Sequence, residues 1–314
     1  MSNSNNAAIL IIGTGSLASL FGARLSAIGT SVMMIGTWPA GLEALKKYGV
    51  RLVDADGSQR AYPVKTASDT RDCAGARYAL VLVKSSRTGR AAEQLAECLA
   101  PDGLALTLQN GLGNREQLAQ VLGEGRVTSG ITTYGANLLE PGQVRLAGEG
   151  TITLTSAPDV ISLGRLLENA GFNVEYTADT SGLIWGKLLV NAAINPLTAL
   201  LDVPNGELLD LPSARGLMSS VVQEAVLVSR ALGVNLPYPD PIAMVEEVAQ
   251  RTAANRSSML QDVSRGSPTE IDAINGAIVK AGDEAGVPTP INRTLWLLVK
   301  AKEQGIRETA REKG

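Results

Sequence analysis

An apolar run, Ala7–Ile12, leads straight into Gly13-Thr14-Gly15-Ser16-Leu17-Ala18, and the helical pattern Leu17–Ile28 follows. A strand apolar on both faces needs cover on both faces, which favours a parallel sheet sandwiched by helices. At the turn itself, the first glycine allows the chain to reverse tightly. The second lets a pyrophosphate approach the backbone, and the third position, Ala18, needs only a small side chain. The helix N-terminus then presents free N–H groups to phosphate. Ser31–Ile35, Tyr78–Val83 and Leu104–Leu108 repeat the continuous apolar run. The predicted fold class is therefore α/β, with an N-terminal Rossmann-type doubly wound sheet. Antiparallel additions are expected at Arg51–Gln59, which carries Asp56-Gly57, and at Glu140-Pro141-Gly142 before Val144–Leu146.

The pattern changes after about Asp179. Leu183–Leu201, Ser213–Leu232, Pro241–Gln250, Glu270–Ala285 and Asn292–Glu303 read as helices, and strand-like runs stop. Strand–helix units followed by a run of helices imply two domains. We place them at residues 1–178, a dinucleotide-binding Rossmann domain, and 179–314, an all-α substrate and catalytic domain, with hinge motion expected near Ala178. The charged tail Arg307–Lys313 reads as a solvated helix end.

Composition narrows the chemistry. A net charge of −3 argues against a nucleic-acid partner, and 4% aromatic residues leave little for base stacking. The start, Met1–Asn6, lacks the basic residues of a signal peptide, and no run of ~20 apolar residues is evident, so no membrane partner and a cytoplasmic location are expected. Cys73 and Cys98 are expected to be isolated reduced thiols. With no histidine in the chain, no metal site is expected. The apolar helices are compatible with a homodimer.

The absence of histidine also restricts proton transfer to Lys, Asp, Glu, Tyr or Cys. In Trp185-Gly186-Lys187-Leu-Leu-Val-Asn191-Ala-Ala-Ile-Asn195-Pro196, three polar residues spaced four apart line one edge of an otherwise apolar helix. Burying an ammonium and two amides is costly without a polar partner, so Lys187 leads as the candidate acid. Two strand ends add Lys84 and Asn110, each suited to a ligand outside the carboxyl edge of the sheet. Their bland readings are a solvated lysine and an Asn-Gly turn. The end of the second strand reads Ile35-Gly36-Thr37-Trp38, with neither an acid for a ribose hydroxyl nor an arginine for a 2′-phosphate. Thr37 can bond either group, so on these residues NADH and NADPH both stay open. Downstream, Asn205, Asn255, Ser257, Ser258 and Glu270 suit a small polar ligand, or serve as turn, cap and first-turn residues.

In order along the chain, the glycine turn, Lys84, Gln109-Asn110-Gly111, Trp185-x-Lys187-x-x-x-Asn191-x-x-x-Asn195-Pro196, Pro204-Asn205-Gly206-Glu207, Ser257-Ser258-Met259-x-x-Asp262 and Glu270-Ile271-Asp272 resemble the ketopantoate reductase (2-dehydropantoate 2-reductase) family. The resemblance runs over nearly the whole chain. It implies an oxidoreductase that reduces 2-dehydropantoate, a small keto acid, to (R)-pantoate with NADPH, on the pantothenate route to coenzyme A. It further implies Lys187 as general acid and Glu270 holding the lysine or the substrate hydroxyl. Asn110, Asn191, Asn195, Asn205, Asn255 and Ser258 would contact substrate. Gly13, Thr14, Gly15, Ser16, Leu17, Ala18, Thr37, Lys84 and Asn110 would contact cofactor. The sequence departs from the family at Thr37, where many members carry an arginine. The alternative is a related dehydrogenase acting with NAD(P)H on another 2-keto or 3-hydroxy acid.

Overall fold

The structure, a computed structural model, describes residues 9–54, 56–73 and 75–312, with the side chains of 307 and 309–312 also outside the description. The expectations for Met1–Asn6, Ala7, Ala8 and Lys313 lie outside the described residues. Two compact units emerge: residues up to Gln109 with Asn114–Thr180, and Asn110–Gly113 with the chain from Ser181 onward.

The first unit begins β1 (Ile9–Ile12), α1 (Ser16–Ala27), β2 (Val32–Ile35), α2 (Pro39–Tyr48), β3 (Val50–Val53), β4 (Gln59–Tyr62) and β5 (Lys65–Ala67). It continues β6 (Ala76–Val81), α3 (Thr88–Cys98), β7 (Leu99–Thr107), α4 (Asn114–Leu122), β8 (Val127–Ser129) and β9 (Ile131–Thr132). It closes with β10 (Gly135–Glu140), β11 (Gln143–Gly148), β12 (Ile152–Thr155), α5 (Pro158–Asn169) and β13 (Val174–Thr177). Six strands form a parallel sheet in the order β5-β2-β1-β6-β7-β8.

Side-chain alternation sends Ile9 and Ile11 of β1 into one core and Leu10 and Ile12 into another. The first core holds Phe21 of α1, stacked on Phe172 at 4.3 Å between ring centroids. The second is closed by Ala91, Ala92 and Leu95 of α3 and Leu118 of α4. Both faces of the sheet are thus covered, as continuous apolar strands require. The two expected hairpins form as β3–β4 and β10–β11 and join in a four-stranded sheet, β10-β11-β3-β4. A third sheet, β13-β12-β9, had no counterpart in the sequence reading. Cys73 and Cys98 are free and buried, and their thiols donate to the Asp69 and Thr70 carbonyls at 3.6 and 3.4 Å.

The second unit comprises α6 (Ser181–Leu201), α7 (Glu207–Asp210), α8 (Pro212–Ala231), α9 (Pro241–Arg251), α10 (Ser258–Ser264), α11 (Asn275–Ala285) and α12 (Pro290–Glu312). α6 is its axis and packs against α8, α9, α10 and α12. By length and composition alone α6 could cross a membrane, although Lys187, Asn191 and Asn195 interrupt its apolar residues. Its apolar surface is instead buried within the unit, which is why it is apolar nearly all round. Pro196 inside α6 has no N–H for the Ala192 carbonyl four residues back. Asn275 Nδ2 takes that carbonyl at 3.1 Å, so the defect is repaired from α11. Lys302 Nζ caps the far end of α6 through the Ala199 carbonyl, 2.7 Å away. One expected helix starts late: Glu270 lies in tight turns ahead of α11, where the Ala273 and Ile274 N–H groups both bond the Glu270 carbonyl.

Candidate active site

α6 carries Lys187, Asn191 and Asn195 along one edge, as their spacing dictates. Lys187 and Asn191 are half-buried, and Asn195 is 7% exposed. Among the described residues, the side-chain amides of Asn191 and Asn195 make no hydrogen bond. Removing water around Lys187 pushes its ammonium down from an ordinary 10.5 to about 8, while the charge of Glu270 acts in the opposite sense. Gly186, beside the lysine, leaves room for Tyr238: a Cβ there would sit 2.3 Å from the Tyr238 ring.

Glu270 is 8% exposed and accepts a 2.9 Å hydrogen bond from Asn110 Nδ2. The Asn-Gly pair is therefore more than a solvent-facing turn. Gly111 has φ +86°, and a Cβ on it would lie 2.1 Å from the Ala273 carbonyl oxygen. Only glycine fits that approach, and the neighbouring Leu112 N–H bonds the same carbonyl at 3.0 Å. This docking holds Asn110 against the Glu270 carboxylate. α12 grips the same segment: Glu303 accepts the Thr269 N–H at 2.6 Å, while Trp296 Nε1 and Lys300 Nζ donate to Asp272 at 2.7 and 2.8 Å.

The remaining sequence-predicted substrate residues divide. Asn205 is buried, donates to Thr252 Oγ1 at 2.9 Å, and keeps a buried Oδ1 without a partner. Its backbone N–H bonds the Asn255 carbonyl, but the Asn255 and Ser258 side chains are exposed. Ser257, not Ser258, is the integrated serine: it accepts the Leu260 N–H at 3.1 Å as the cap of α10 and lies 2.7 Å from Thr198 Oγ1 on α6. The capping reading offered for this pair applies to Ser257.

In the first unit, the glycine turn has the geometry a dinucleotide needs. Gly13 has φ +134°, and a Cβ on it would lie 2.9 Å from the Leu82 carbonyl oxygen and 3.4 Å from Ala18 Cβ. Gly15 caps α1 with no side-chain hydrogen bond, and a Cβ there would meet nothing within 4 Å. The space above Gly15 and the uncapped N–H groups of the first turn fit a pyrophosphate. Lys84 is half-buried at the exit of β6. One residue escaped the sequence reading here. Arg87, three positions beyond Lys84, donates from Nη1 to Thr37 Oγ1 at 3.2 Å. Among the described residues there is no cluster of three or more His, Cys, Asp or Glu placed to hold a metal ion.

Comparison with known proteins agrees along both units. Residues 9–159 match the family described as Ketopantoate reductase PanE/ApbA, and residues 179–303 match Ketopantoate reductase PanE/ApbA C terminal. The 2-dehydropantoate 2-reductase of Archaeoglobus fulgidus is 39% identical over 303 residues, covering 95% of this chain and 98% of the relative. A PanE/ApbA family ketopantoate reductase from Ralstonia eutropha superposes with a TM-score of 0.89 at 33% identity, over 95% of this chain and 99% of the other. D-mandelate dehydrogenase, solved with NADH and anilino(oxo)acetate, superposes at 0.88 with 27% identity over 95% and 99% of the two chains.

A parallel sheet with a phosphate-ready glycine turn, followed by a helical unit whose central helix carries a half-buried lysine, defines an oxidoreductase of the dinucleotide-binding class. Within that class the chain belongs to the ketopantoate reductase family.

Proposed function

We propose that the protein reduces 2-dehydropantoate to (R)-pantoate with NADPH, that residues 1–178 bind the dinucleotide, and that 179–314, joined by Asn110, hold and protonate the substrate. The observation that carries this reading is the Lys187–Glu270–Asn110 group: a lysine whose proton is loosened by burial, beside a carboxylate fixed by an amide. A nicotinamide dinucleotide held at the glycine turn would supply the hydride for the ketone carbon. As negative charge grows on the ketone oxygen, the Lys187 ammonium stabilises it and transfers one proton, leaving a neutral amine that solvent reprotonates. Glu270 tunes that ammonium and accepts the substrate hydroxyl. Asn191 and Asn195 offer unpartnered amides to the substrate's carboxylate and hydroxyl oxygens. Asn205, with its free buried oxygen, and Asn255 and Ser258 complete the proposed substrate contacts. Gly13–Ala18, Thr37 and Lys84 are the proposed cofactor contacts, with Asn110 shared between the two ligands.

The likeness to D-mandelate dehydrogenase favours a second reading, an oxidoreductase of another 2-keto acid. Initial rates with 2-dehydropantoate and a panel of simple 2-keto acids, each with NADPH and NADH, decide between them. The first reading requires 2-dehydropantoate to be turned over fastest. Equal or faster reduction of simple keto acids replaces it with the second.

A further inference from the structure

We infer that Arg87 is the group that recognises a 2′-phosphate on the adenosine ribose, supplied from the exit of β6 rather than the exit of β2. The inference rests on the reading that a nicotinamide dinucleotide binds the glycine turn, and it names the residue that selects the phosphorylated form.

The sheet order makes the geometry. β1 lies between β2 and β6, with Ile12 in register with Ile35 on one side and Val81 on the other. Adjacent strands are about 4.8 Å apart, so the exits of β2 and β6 are separated by about 10 Å. A side chain leaving the turn after β6 can cover most of that gap if it is long, and Arg87 does so, ending on Thr37 Oγ1. Thr37 stands two residues beyond Ile35, at the edge where doubly wound sheets read the ribose. The same edge is continuous with the glycine turn: the Gly13 N–H bonds the Ile35 carbonyl at 2.8 Å, and a Cβ on Gly36 would strike Thr14 at 2.6 Å.

Charge and exposure agree with this assignment. Arg87 and Thr37 are both exposed, and Arg87 forms no ion pair among the described residues. Its guanidinium is thus spent on one neutral hydroxyl, with further N–H groups directed to solvent. Ile35-Gly36-Thr37-Trp38 contains no carboxylate to repel a dianion. The Trp38 ring packs over Gly41, where a Cβ would lie 2.3 Å from it. Thr37 Oγ1 accepts from Arg87, which leaves its own O–H free to donate to the same phosphate. A planar fork beside a hydroxyl suits a phosphate monoester better than a ribose diol.

The test is calorimetric binding of NADPH, NADH, adenosine 2′,5′-bisphosphate and 5′-AMP to the wild type and to Arg87→Met at one fixed salt concentration. The wild type should bind each 2′-phosphorylated ligand more tightly than its partner lacking that phosphate. Arg87→Met should lose about 10- to 100-fold in affinity for the phosphorylated pair, the effect of removing one charge-assisted donor, with NADH and 5′-AMP as the internal reference. Full discrimination retained in Arg87→Met overturns the inference and leaves the NADPH reading standing. A wild type that does not discriminate overturns both, and turnover of 2-dehydropantoate with either cofactor would still preserve the reductase reading.

Discussion

Replacing Glu270 with glutamine should move the pH at which Lys187 gives up its proton. Burial alone depresses the lysine, and Glu270 holds it up, the balance falling at about 8. An opposite charge close to an ionisable group shifts its pKa by about one to three units. Lys187 keeps partial solvent access, which weakens that coupling, so a downward shift of about one unit is the working expectation. Glutamine retains an oxygen to accept the Asn110 Nδ2 hydrogen bond, so the change is mainly one of charge. Ketone reduction needs the protonated amine. In the wild type, kcat should therefore be level below about pH 8 and fall about tenfold per unit above it. In Glu270→Gln the break should move to about pH 7, and oxidation of the hydroxy acid should show the mirror-image limb. Single-turnover reduction followed at 340 nm across the pH range would read both profiles. The absolute rate is expected to drop as well, because Glu270 contacts substrate in the proposed mechanism, but the position of the break is the diagnostic. A break at or above the wild-type value would refute the coupling and remove Glu270 as the group that tunes the acid.

Three other outcomes follow from the same geometry. Lys187 has a folded pKa below its unfolded one, so its ammonium destabilises the fold fully below pH 8, and the penalty fades as pH rises towards 10.5. Lys187→Met should gain stability at pH 7, by up to about 3 kcal/mol, and urea titrations should show the gain shrinking by pH 10; an unchanged midpoint at pH 7 would contradict the burial. Gly15→Ala places a methyl in open space at φ −82°, so thermal stability should hold while dinucleotide affinity falls about tenfold or more by calorimetry; unaltered affinity would displace the pyrophosphate from this turn. Gly111→Ala forces a Cβ onto the Ala273 carbonyl at positive φ and should cost about 2–5 kcal/mol in chemical denaturation; a neutral effect would mean that the Asn110 loop is not held as described.

The strongest sequence signals were those in which a local rule is sufficient. β1, α1 and the glycine turn follow from an apolar run, two glycines and a small third residue, and α6 from its periodicity and length. The edge formed by Lys187, Asn191 and Asn195 is pure helical geometry and needed no tertiary knowledge. Short strands such as Lys65–Ala67 and Val127–Ser129 leave no sequence signal because three residues carry no usable period and their pairing comes from the neighbouring strand. The helical composition of Glu270–Ala285 predicts a helix that includes Glu270. The turns ahead of α11 arise instead from contacts made by Leu112, Trp296, Lys300 and Glu303, which lie far away in sequence.

Arg87 shows why a motif search confined to one strand end can give an incomplete answer about a ligand. Looking only at Ile35–Trp38 finds no cation, and the choice of dinucleotide stays open. The ribose edge, however, is a property of the sheet order and not of β2 alone. Because β1 is central to β2 and β6, a residue after β6 reaches the same edge by spanning two strand spacings, a distance that arginine can cover and a shorter side chain cannot. The same reasoning applies to Pro196 and Asn275. A proline within a helix is read locally as a break, yet α6 continues through it because an amide on another helix satisfies the orphaned Ala192 carbonyl. In both cases the sequence names the chemical need, a missing cation or an unpaired carbonyl, and the fold supplies the partner from a segment that local pattern does not connect to it.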